Sequence, residues 1–437
     1  MRKALRIAIN AQRKAHSISG GAGSVLLGLI TALGRLNDGD EEYVIIGPEQ
    51  KTDWLKPYLG ENQRLVSAPR TDTSRAGPDV VERLKRSLGP LRPFARKFWL
   101  RMVPSIPMRL WPDVPISDGF YEKLGCDVIH FPYQEFILCA LPSIFNPHDL
   151  LHLHNPQFFT PATLAWRETI YPAACHFART IVVASHWVKE DIVYHYRVAP
   201  EKVQIIPWAA PTQVYPVPSR ETLEAVKQKY SLKFPYAFYP SATWEHKNHL
   251  RLLEALERLR TRQSFTLQLV CTGYQDPIFW PRIEQALRRL NLEGQVKFLG
   301  VVPAEDLRAI YRLAQFVIVP TLFEAASGPV FEAWLERTPV ACSTVTSLPE
   351  QVADAAMFFD PLSAKAIAEA VRRMATDGHL RADLVKKGEL RLLDFSWERS
   401  AKAYRAVYRR AAGLTLSEED AFLLSWDWMK YPKRGGE

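Results

Sequence analysis

The amino-acid sequence predicts an α/β protein built from two parallel sheets. Twelve short apolar runs recur along its 437 residues, at intervals that leave room for a helix between them. Their hydrophobicity is continuous and not alternating, which is typical of strands buried on both faces of a parallel sheet. A proline-rich stretch at 207–218 follows the sixth run. It indicates a boundary between two domains of six strands each.

The predicted strands alternate with segments of helical periodicity such as 249–260 and 306–314. Because parallel strands need crossover connections, these segments predict crossover helices. We predict two Rossmann-like domains, 1–208 and 209–412, facing each other across a cleft, with a C-terminal helix within 413–437 that packs back on the first. The predicted strands lie at 5–10, 43–47, 127–131, 142–146, 180–184, 203–207, 236–240, 266–270, 296–300, 316–320, 339–343 and 356–360.

Composition excludes several protein classes. Hydrophobic residues make up 47% of the chain, which excludes disorder, collagen and coiled coil. The five cysteines lie far apart in apolar runs, so we expect neither a disulfide framework nor a cysteine zinc site. This use of cysteine is typical of a protein in a reducing compartment. The N-terminus predicts a strand and no secretory signal. No apolar run reaches the length of about 18 residues that a membrane span needs, so we expect a soluble or peripheral protein.

A basic stretch at 83–109 holds eight Lys or Arg residues and no acid, interleaved with aromatic and aliphatic side chains. Such a stretch is typical of a segment that lies on an anionic bilayer. The alternative is a solvated helix pair packed on its own domain, since four prolines interrupt any long helix. We expect no nucleic-acid partner; DNA binding with a steep salt dependence would contradict that expectation.

Two loops at predicted strand ends carry candidate ligand-binding residues. After 316–320, Ser327 and Gly328 open a helix whose N–H groups favour a phosphate, and Glu324 and Glu332 are suited to accept hydrogen bonds from sugar hydroxyls. The alternative is a capping loop whose acids complement the helix dipole. After 236–240, Lys247 lies between two histidines at a helix start. Cations there oppose the dipole unless an anion binds, so Lys247 predicts an anionic ligand; the alternative is a solvent-exposed lysine.

Two loops of the first predicted domain are also candidates. After 142–146, His148, Asp149, His152 and His154 have metal-like spacing, but they lack cysteine or glutamate companions. We therefore predict that His148 is a hydrogen-bonding group of the active site, that His152 and His154 pack, and that no metal binds. After the first strand, Gly20 and Gly21 permit close approach by a phosphate or sugar. The NAD fingerprint fails at its third glycine, so NAD binding is weakly supported.

In order and spacing, these motifs resemble those of the retaining glycosyltransferases of family 4, of group 1 type, which have the GT-B fold. The marker is Glu324-x7-Glu332 within FEAASGPVFEAW. The resemblance extends from about residue 1 to 410 and is strongest from 236 to 400. Its other motifs lie at 242–256, 298–314, 347–361 and 395–404, with weaker ones at 146–159, 180–192 and 201–207.

This resemblance implies a nucleotide-diphosphate sugar, GDP- or UDP-linked, held mainly by the C-terminal domain and an acceptor held mainly by the N-terminal domain. It implies hexose transfer with retained anomeric configuration and with no cofactor and no essential metal. By matching position, Lys247 would bind the diphosphate, Glu324 the donor sugar hydroxyls and Glu332 the ribose hydroxyls. Gly21 would approach the phosphate, and His148 would lie at the transferred sugar.

The sequence also departs from the family pattern. Ser241 replaces a basic residue that the family often carries, and 325–328 replaces its usual glycine-phenylalanine-glycine-leucine. This variant resembles mannosyltransferases of bacterial polysaccharide pathways. We therefore predict mannosyl transfer to a glycan or lipid-linked acceptor in cell-surface polysaccharide synthesis, in the cytoplasm or peripherally at the inner membrane face. Two alternatives stay open: a GT-B nucleotide-sugar epimerase, which needs no acceptor, and a non-catalytic nucleotide-sugar-binding partner.

Overall fold

A computed structural model describes residues 4–12, 21–48, 52–68 and 114–427. Within them the chain forms a seven-stranded and a six-stranded sheet, and every strand pair is parallel. The predicted α/β class is thereby confirmed. None of the described helices has both the length and the apolar character needed to cross a bilayer. The basic stretch 83–109, predicted to contact a membrane, lies outside the described residues.

All twelve predicted strands are present, and one further strand, β3, was missed. Only two adjacent residues of β3 are aliphatic, and none of its five is fully buried because it forms the sheet edge. It therefore has no continuous apolar run to identify it. The strands are β1 Arg6–Asn10, β2 Glu42–Gly47, β3 Gln63–Ser67, β4 Val128–Phe131, β5 Ser143–Phe145, β6 Thr180–Val183, β7 Val203–Ile205, β8 Tyr236–Pro240, β9 Gln268–Thr272, β10 Val296–Phe298, β11 Phe316–Val319, β12 Val340–Ser343 and β13 Met357–Phe359.

Helices cover the sheets, and several begin with a serine, threonine or aspartate side chain that accepts a backbone N–H, as a helix cap does. Short 3-10 turns connect some of them. The described α-helices are α1 Gly21–Gly34, α2 Phe120–Lys123, α3 Leu151–His154, α4 Pro161–Phe177, α5 His186–Tyr196, α6 Arg220–Lys229, α7 His249–Gln263, α8 Trp280–Arg289, α9 Ala304–Leu313, α10 Gly328–Leu335, α11 Leu348–Val352, α12 Ala364–Thr376, α13 Gly378–Leu392, α14 Trp397–Ala411 and α15 Glu418–Ser425.

The strand order reverses once in each sheet. The first sheet has the order β3-β2-β1-β4-β5-β6-β7, and the second has β10-β9-β8-β11-β12-β13. Loops that leave neighbouring strands in opposite directions open a crevice at the carboxyl ends, where such sheets bind ligands. In the second sheet, the strand order reverses between β8 and β11, and the crevice lies at their carboxyl ends.

The chain returns to the first domain earlier than predicted. We assigned 209–412 to the second domain, but α14 packs on the first sheet and on α1. Fully buried His130 accepts a hydrogen bond from Tyr408 through Nδ1 at 2.8 Å and donates to Asn146 through Nε2 at 2.7 Å. Burial lowers the pKa of His130 to about 4, so the ring is neutral at physiological pH. The returning segment therefore includes α14 as well as α15, because buried polar groups fix α14 to the sheet.

We predict that Gly28→Ala destabilises the protein by roughly 1–3 kcal/mol. A Cβ placed on Gly28 would lie 2.3 Å from two ring atoms of Trp397, at the start of α14. The clash opposes the gain in helix propensity of about 1 kcal/mol that alanine brings. Urea denaturation measures the effect. Gly294→Ala is the control, because no described atom lies within 4 Å of its added Cβ; equal stability of both variants would contradict the packing.

Candidate active site at the crevice between β8 and β11

The centre of the candidate site is an ion pair that joins the loops after β8 and β11. Nζ of Lys247 lies 2.7 Å from Oε1 of Glu324, and both side chains are largely buried. Burial raises the pKa of Glu324, an effect that the ammonium of Lys247 partly offsets. The structure thus brings together two residues that are 77 positions apart and that the sequence assigned to one ligand.

The backbone of Glu324 is fixed by the loop after β12. Its N–H donates to Oγ1 of Thr346 at 3.0 Å, and its carbonyl accepts from the hydroxyl of Ser347 at 2.8 Å. These bonds hold the peptide of Glu324 independently of its side chain. The peptide that carries the Glu324 side chain is therefore held in place by the loop after β12, an arrangement that preorganises a functional group.

Glu332 lies in α10, the helix that follows the loop of Glu324, and is buried, with 8% of its surface exposed. Its Oε2 accepts a hydrogen bond of 2.5 Å from the hydroxyl of Tyr311. Burial raises the pKa of Glu332 to about 7, and the Tyr311 bond opposes that rise only in part. Glu332 is thus a buried carboxyl group that exchanges a proton near neutral pH.

Glu332→Gln should remove a pH dependence of stability. Between the ordinary glutamate pKa and about 7, the folded state binds more protons than the unfolded state, so the free energy of unfolding falls as pH rises through this window. We expect a loss of roughly 2–3 kcal/mol in wild type between pH 4.5 and 7.5, and a flatter profile in the variant. Urea denaturation across this range tests it. Exposed Glu305→Gln is the control, and parallel profiles for Glu332→Gln and wild type would disprove the assignment.

The predicted phosphate-binding helix start, at Ser327 and Gly328, is already partnered. The Ser327 N–H donates to Oε1 of Gln351 at 2.7 Å, and its carbonyl accepts from Nε2 of the same side chain at 3.0 Å. The Ser327 side chain is fully buried, and Gly328 lies beside Pro211 of the interdomain segment. A donor phosphate would have to displace Gln351 to reach the Ser327 N–H. Donor binding by these two residues stays a prediction.

Of the cationic residues predicted beside Lys247, the histidines are neutral. Burial lowers the pKa of His249 to about 3 and holds that of His246 well below its usual range. Asn248 directly precedes α7, but its side chain donates to the carbonyls of Pro320 and Pro361, at 2.9 Å each, and does not cap the helix. Asn248 thus joins the loop after β8 to two other strand ends, which positions Lys247.

The first domain supplies the opposite wall of the crevice. His148 has a left-handed backbone, with φ of 66°, and donates through Nε2 to the carbonyl of Pro132 at 2.9 Å. That bond fixes its tautomer, because a carbonyl only accepts. Asp149 is close enough to Glu324 to raise the pKa of that carboxyl. Gly21 is the first residue of α1, while Gly20 lies outside the described residues. The catalytic role predicted for His148 stays untested.

The two domains touch beside the ion pair. The ring of Phe323 packs against His154 and Trp187 of the first domain, with centroids 5.4 Å apart in each case. Glu350 of α11 accepts hydrogen bonds from the N–H groups of His186 and Trp187 at 2.6 and 3.3 Å, and so caps α5 from across the crevice. The structure therefore represents a conformation with the domains in contact around Glu324.

Several supporting residues were missed by sequence reasoning. Tyr311, Gln351 and Glu350 lie on helices, where periodicity marks a buried face but does not identify a partner across space. Thr346 follows β12, and the rule that sites lie at the carboxyl ends of strands could have found it. The side chains that fix the site therefore come from further loops than the two that carry Lys247 and Glu324.

Comparison with known proteins gives matches along both domains. Residues 235–377 match the model described as glycosyl transferases group 1, and residues 19–214 match the model of glycosyltransferase family 4. O-antigen chain mannosyltransferase B of Escherichia coli is 29% identical over 57% of this chain and 66% of its own length. O-antigen chain mannosyltransferase RfbU of Salmonella typhimurium is 25% identical over 68% of this chain and 75% of its own. The matched segments thus span about two thirds to three quarters of these two relatives.

Solved structures agree on the fold. HepE of Anabaena, in complex with UDP-glucose, superposes with a TM-score of 0.62 over 93% of this chain and 100% of its own, at 14% identity. At that identity the likeness concerns the fold alone, which is GT-B, and the predicted architecture is confirmed. The two family matches, which together span most of the chain, show that this chain belongs to the family 4 glycosyltransferases of group 1 type.

Proposed function

We propose that this chain transfers a hexose, mannose, from a GDP- or UDP-linked sugar to a glycan or lipid-linked acceptor, with retained anomeric configuration, in cell-surface polysaccharide synthesis. The carrying observation is the ion pair of Lys247 and Glu324 at the crevice between β8 and β11. The choice of mannose and of a polysaccharide pathway is supported by the names of the two O-antigen mannosyltransferase relatives.

In this proposal, donor binding separates the ion pair. The ammonium of Lys247 turns to the diphosphate, whose negative charge grows as the glycosidic bond breaks, and Glu324 accepts hydrogen bonds from the sugar hydroxyls. Lys247 exchanges one anionic partner for another, and Glu324 exchanges the ammonium for hydroxyl donors, so neither group is left without a hydrogen-bond partner in a largely buried place. Glu332 accepts hydrogen bonds from the ribose hydroxyls, and these bonds favour its carboxylate form over the protonated form that burial favours in the free enzyme.

The acceptor approaches from the wall formed by His148 and Asp149. The acceptor oxygen bonds to the anomeric carbon on the face from which the diphosphate departs, and as the bond to the diphosphate breaks, the freed diphosphate oxygen takes the proton of the acceptor hydroxyl. This step retains configuration without a covalent intermediate, and it needs no protein nucleophile. Glu324 then has a positioning role. Charge on the leaving group is stabilised by Lys247 in this scheme, and the proposal needs no metal in the donor site.

Thermal unfolding with GDP, UDP, ADP and their sugar conjugates tests the donor site, because a ligand selective for the folded state raises its stability by about 2.7 kcal/mol at 100 times Kd. We expect a shift with one base, in the presence of a chelator. The selected sugar nucleotide is then incubated with acceptors, and the product linkage is read by NMR. No shift with any nucleotide would overturn the proposal, whereas turnover without acceptor would indicate the epimerase alternative.

A further inference from the structure

Three side chains of the first domain converge at a point that the proposed transfer does not use. Nε2 of His154 lies 2.8 Å from Oδ1 of Asp191, and Nε2 of His195 lies 3.3 Å from the same oxygen. One ligand atom from each residue lies within 4.8 Å of the others. Among the described residues, this is the one group of three with such geometry.

We propose that His154, Asp191 and His195 bind a divalent transition-metal ion of the zinc class. Two imidazoles and one carboxylate are a ligand set that zinc favours and that calcium and magnesium do not. In a tetrahedral zinc site with bonds of about 2.0–2.1 Å, ligand atoms lie about 3.3 Å apart. The His195–Asp191 separation of 3.3 Å equals that value and the His154–Asp191 separation of 2.8 Å is shorter, so side-chain rotations that move His154 back complete the site.

The carboxylate of Asp191 provides an independent indication. Its side chain is 7% exposed, and within the described part of the chain its Oδ2 is buried without a hydrogen-bond partner. A buried carboxylate with one oxygen unpaired costs free energy, and a cation bound at that carboxylate offsets the cost. The two histidines, by contrast, are 33% and 30% exposed at their side chains, which leaves the ion a path from solvent.

The local fold explains why sequence spacing pointed elsewhere. Asp191 and His195 lie four residues apart on α5, and therefore on one helix face, while His154 is the last residue of α3. The spacing argument paired His154 with His148 and Asp149, which are its neighbours in sequence. In the structure, His148 donates instead to the carbonyl of Pro132, and His154 bonds to Asp191 of α5.

Such an ion would connect α3 to α5 beside the crevice. The ring of His154 packs on Phe323, the residue before Glu324, and on Trp187 of α5. Metal bound here stiffens the wall that Phe323 contacts, with three protein ligands and one position open to water. The site is separate from Lys247 and Glu324, so the inference does not depend on the proposed donor chemistry.

Zinc binding to the full chain, purified without a histidine tag and stripped with a chelator, tests the proposal. We expect calorimetry to show one zinc ion per chain for wild type, and cobalt(II) to give visible absorption bands of a low-coordinate site. His195→Ala and Asp191→Asn should each weaken binding by more than about 100-fold, since loss of even an outer-shell partner costs 10–100-fold. Exposed His379→Ala should bind as wild type does.

The proposal is overturned if wild type binds no stoichiometric zinc, or if the His195→Ala variant binds it with unchanged affinity and stoichiometry. His195→Ala is the first variant to use because its side chain is partly exposed and its removal leaves the His154–Asp191 bond in place. Thermal shifts with nucleotides, measured on the same variant, should equal those of wild type. Failure of the donor-site proposal would therefore be recognised separately.

Discussion

Replacing Glu324 with glutamine is expected to lower kcat by about 10²–10³-fold, a loss typical of removing one preorganised polar group from an active site. The amide keeps the shape of the side chain but loses the charge that strengthens hydrogen bonds to sugar hydroxyls. Because Thr346 and Ser347 hold the backbone of residue 324, the loop should keep its conformation. Initial rates with the sugar nucleotide selected by thermal shift measure the change.

The Kd for the nucleoside diphosphate should stay near the wild-type value or fall in the same variant. In wild type the ammonium of Lys247 must leave Glu324 before it can contact a phosphate, and glutamine weakens that competition. Glu293→Gln, on an exposed turn, is the control and should match wild type in both quantities. A Glu324→Gln enzyme with wild-type kcat would exclude the proposed positioning role.

Replacing Lys247 with methionine is expected to weaken nucleoside-diphosphate binding by about 10–100-fold, the equivalent of one hydrogen bond to a charged group. Methionine keeps the length of the side chain without its charge. Lys247→Arg should recover part of the affinity, since it restores a cation although not the same geometry. Titration calorimetry with GDP or UDP gives the constants, and exposed Lys365→Met provides the control.

The same variant has a second expected signature. Without the ammonium of Lys247, nothing in the ion pair offsets the effect of burial on Glu324, so the pKa of that carboxyl should rise further. The acidic limb of the kcat/KM profile, which reports the free enzyme, should accordingly move to higher pH. Unchanged affinity and an unchanged profile together would show that Lys247 has no role in donor binding.

Much of the fold followed from hydrophobic patterning because both sheets are buried. Strands such as β8 and β11 are buried along their whole length, and their continuous apolar runs are unambiguous. The edge strand β3 and the return of α14 were not predictable in the same way. β3 faces solvent, and α14 reads as an ordinary amphipathic helix whose partner, the first sheet, is more than 200 residues away in sequence.

The sequence predicted those residues of the candidate site that are charged and follow the end of a strand. Lys247 and Glu324 are such residues, and the strand order places their loops together. What the sequence did not show is that they bind each other before any ligand arrives. Ser327 illustrates a second limit, because the pattern identified a helix start but not the Gln351 side chain that already uses its N–H.

The chain crosses twice between the two domains, and this determines how they can move relative to each other. The outgoing segment and the returning one lie side by side, since Nε1 of Trp397 donates to the carbonyl of Ala210 at 3.0 Å and the hydroxyl of Ser400 to that of Pro207 at 2.8 Å. Two adjacent connecting segments form a hinge. They permit rotation about the line that joins them and resist torsion of one domain against the other. Opening of the crevice should therefore follow one swinging motion, in which Glu350 and Phe323 leave α5 and return to the same contacts.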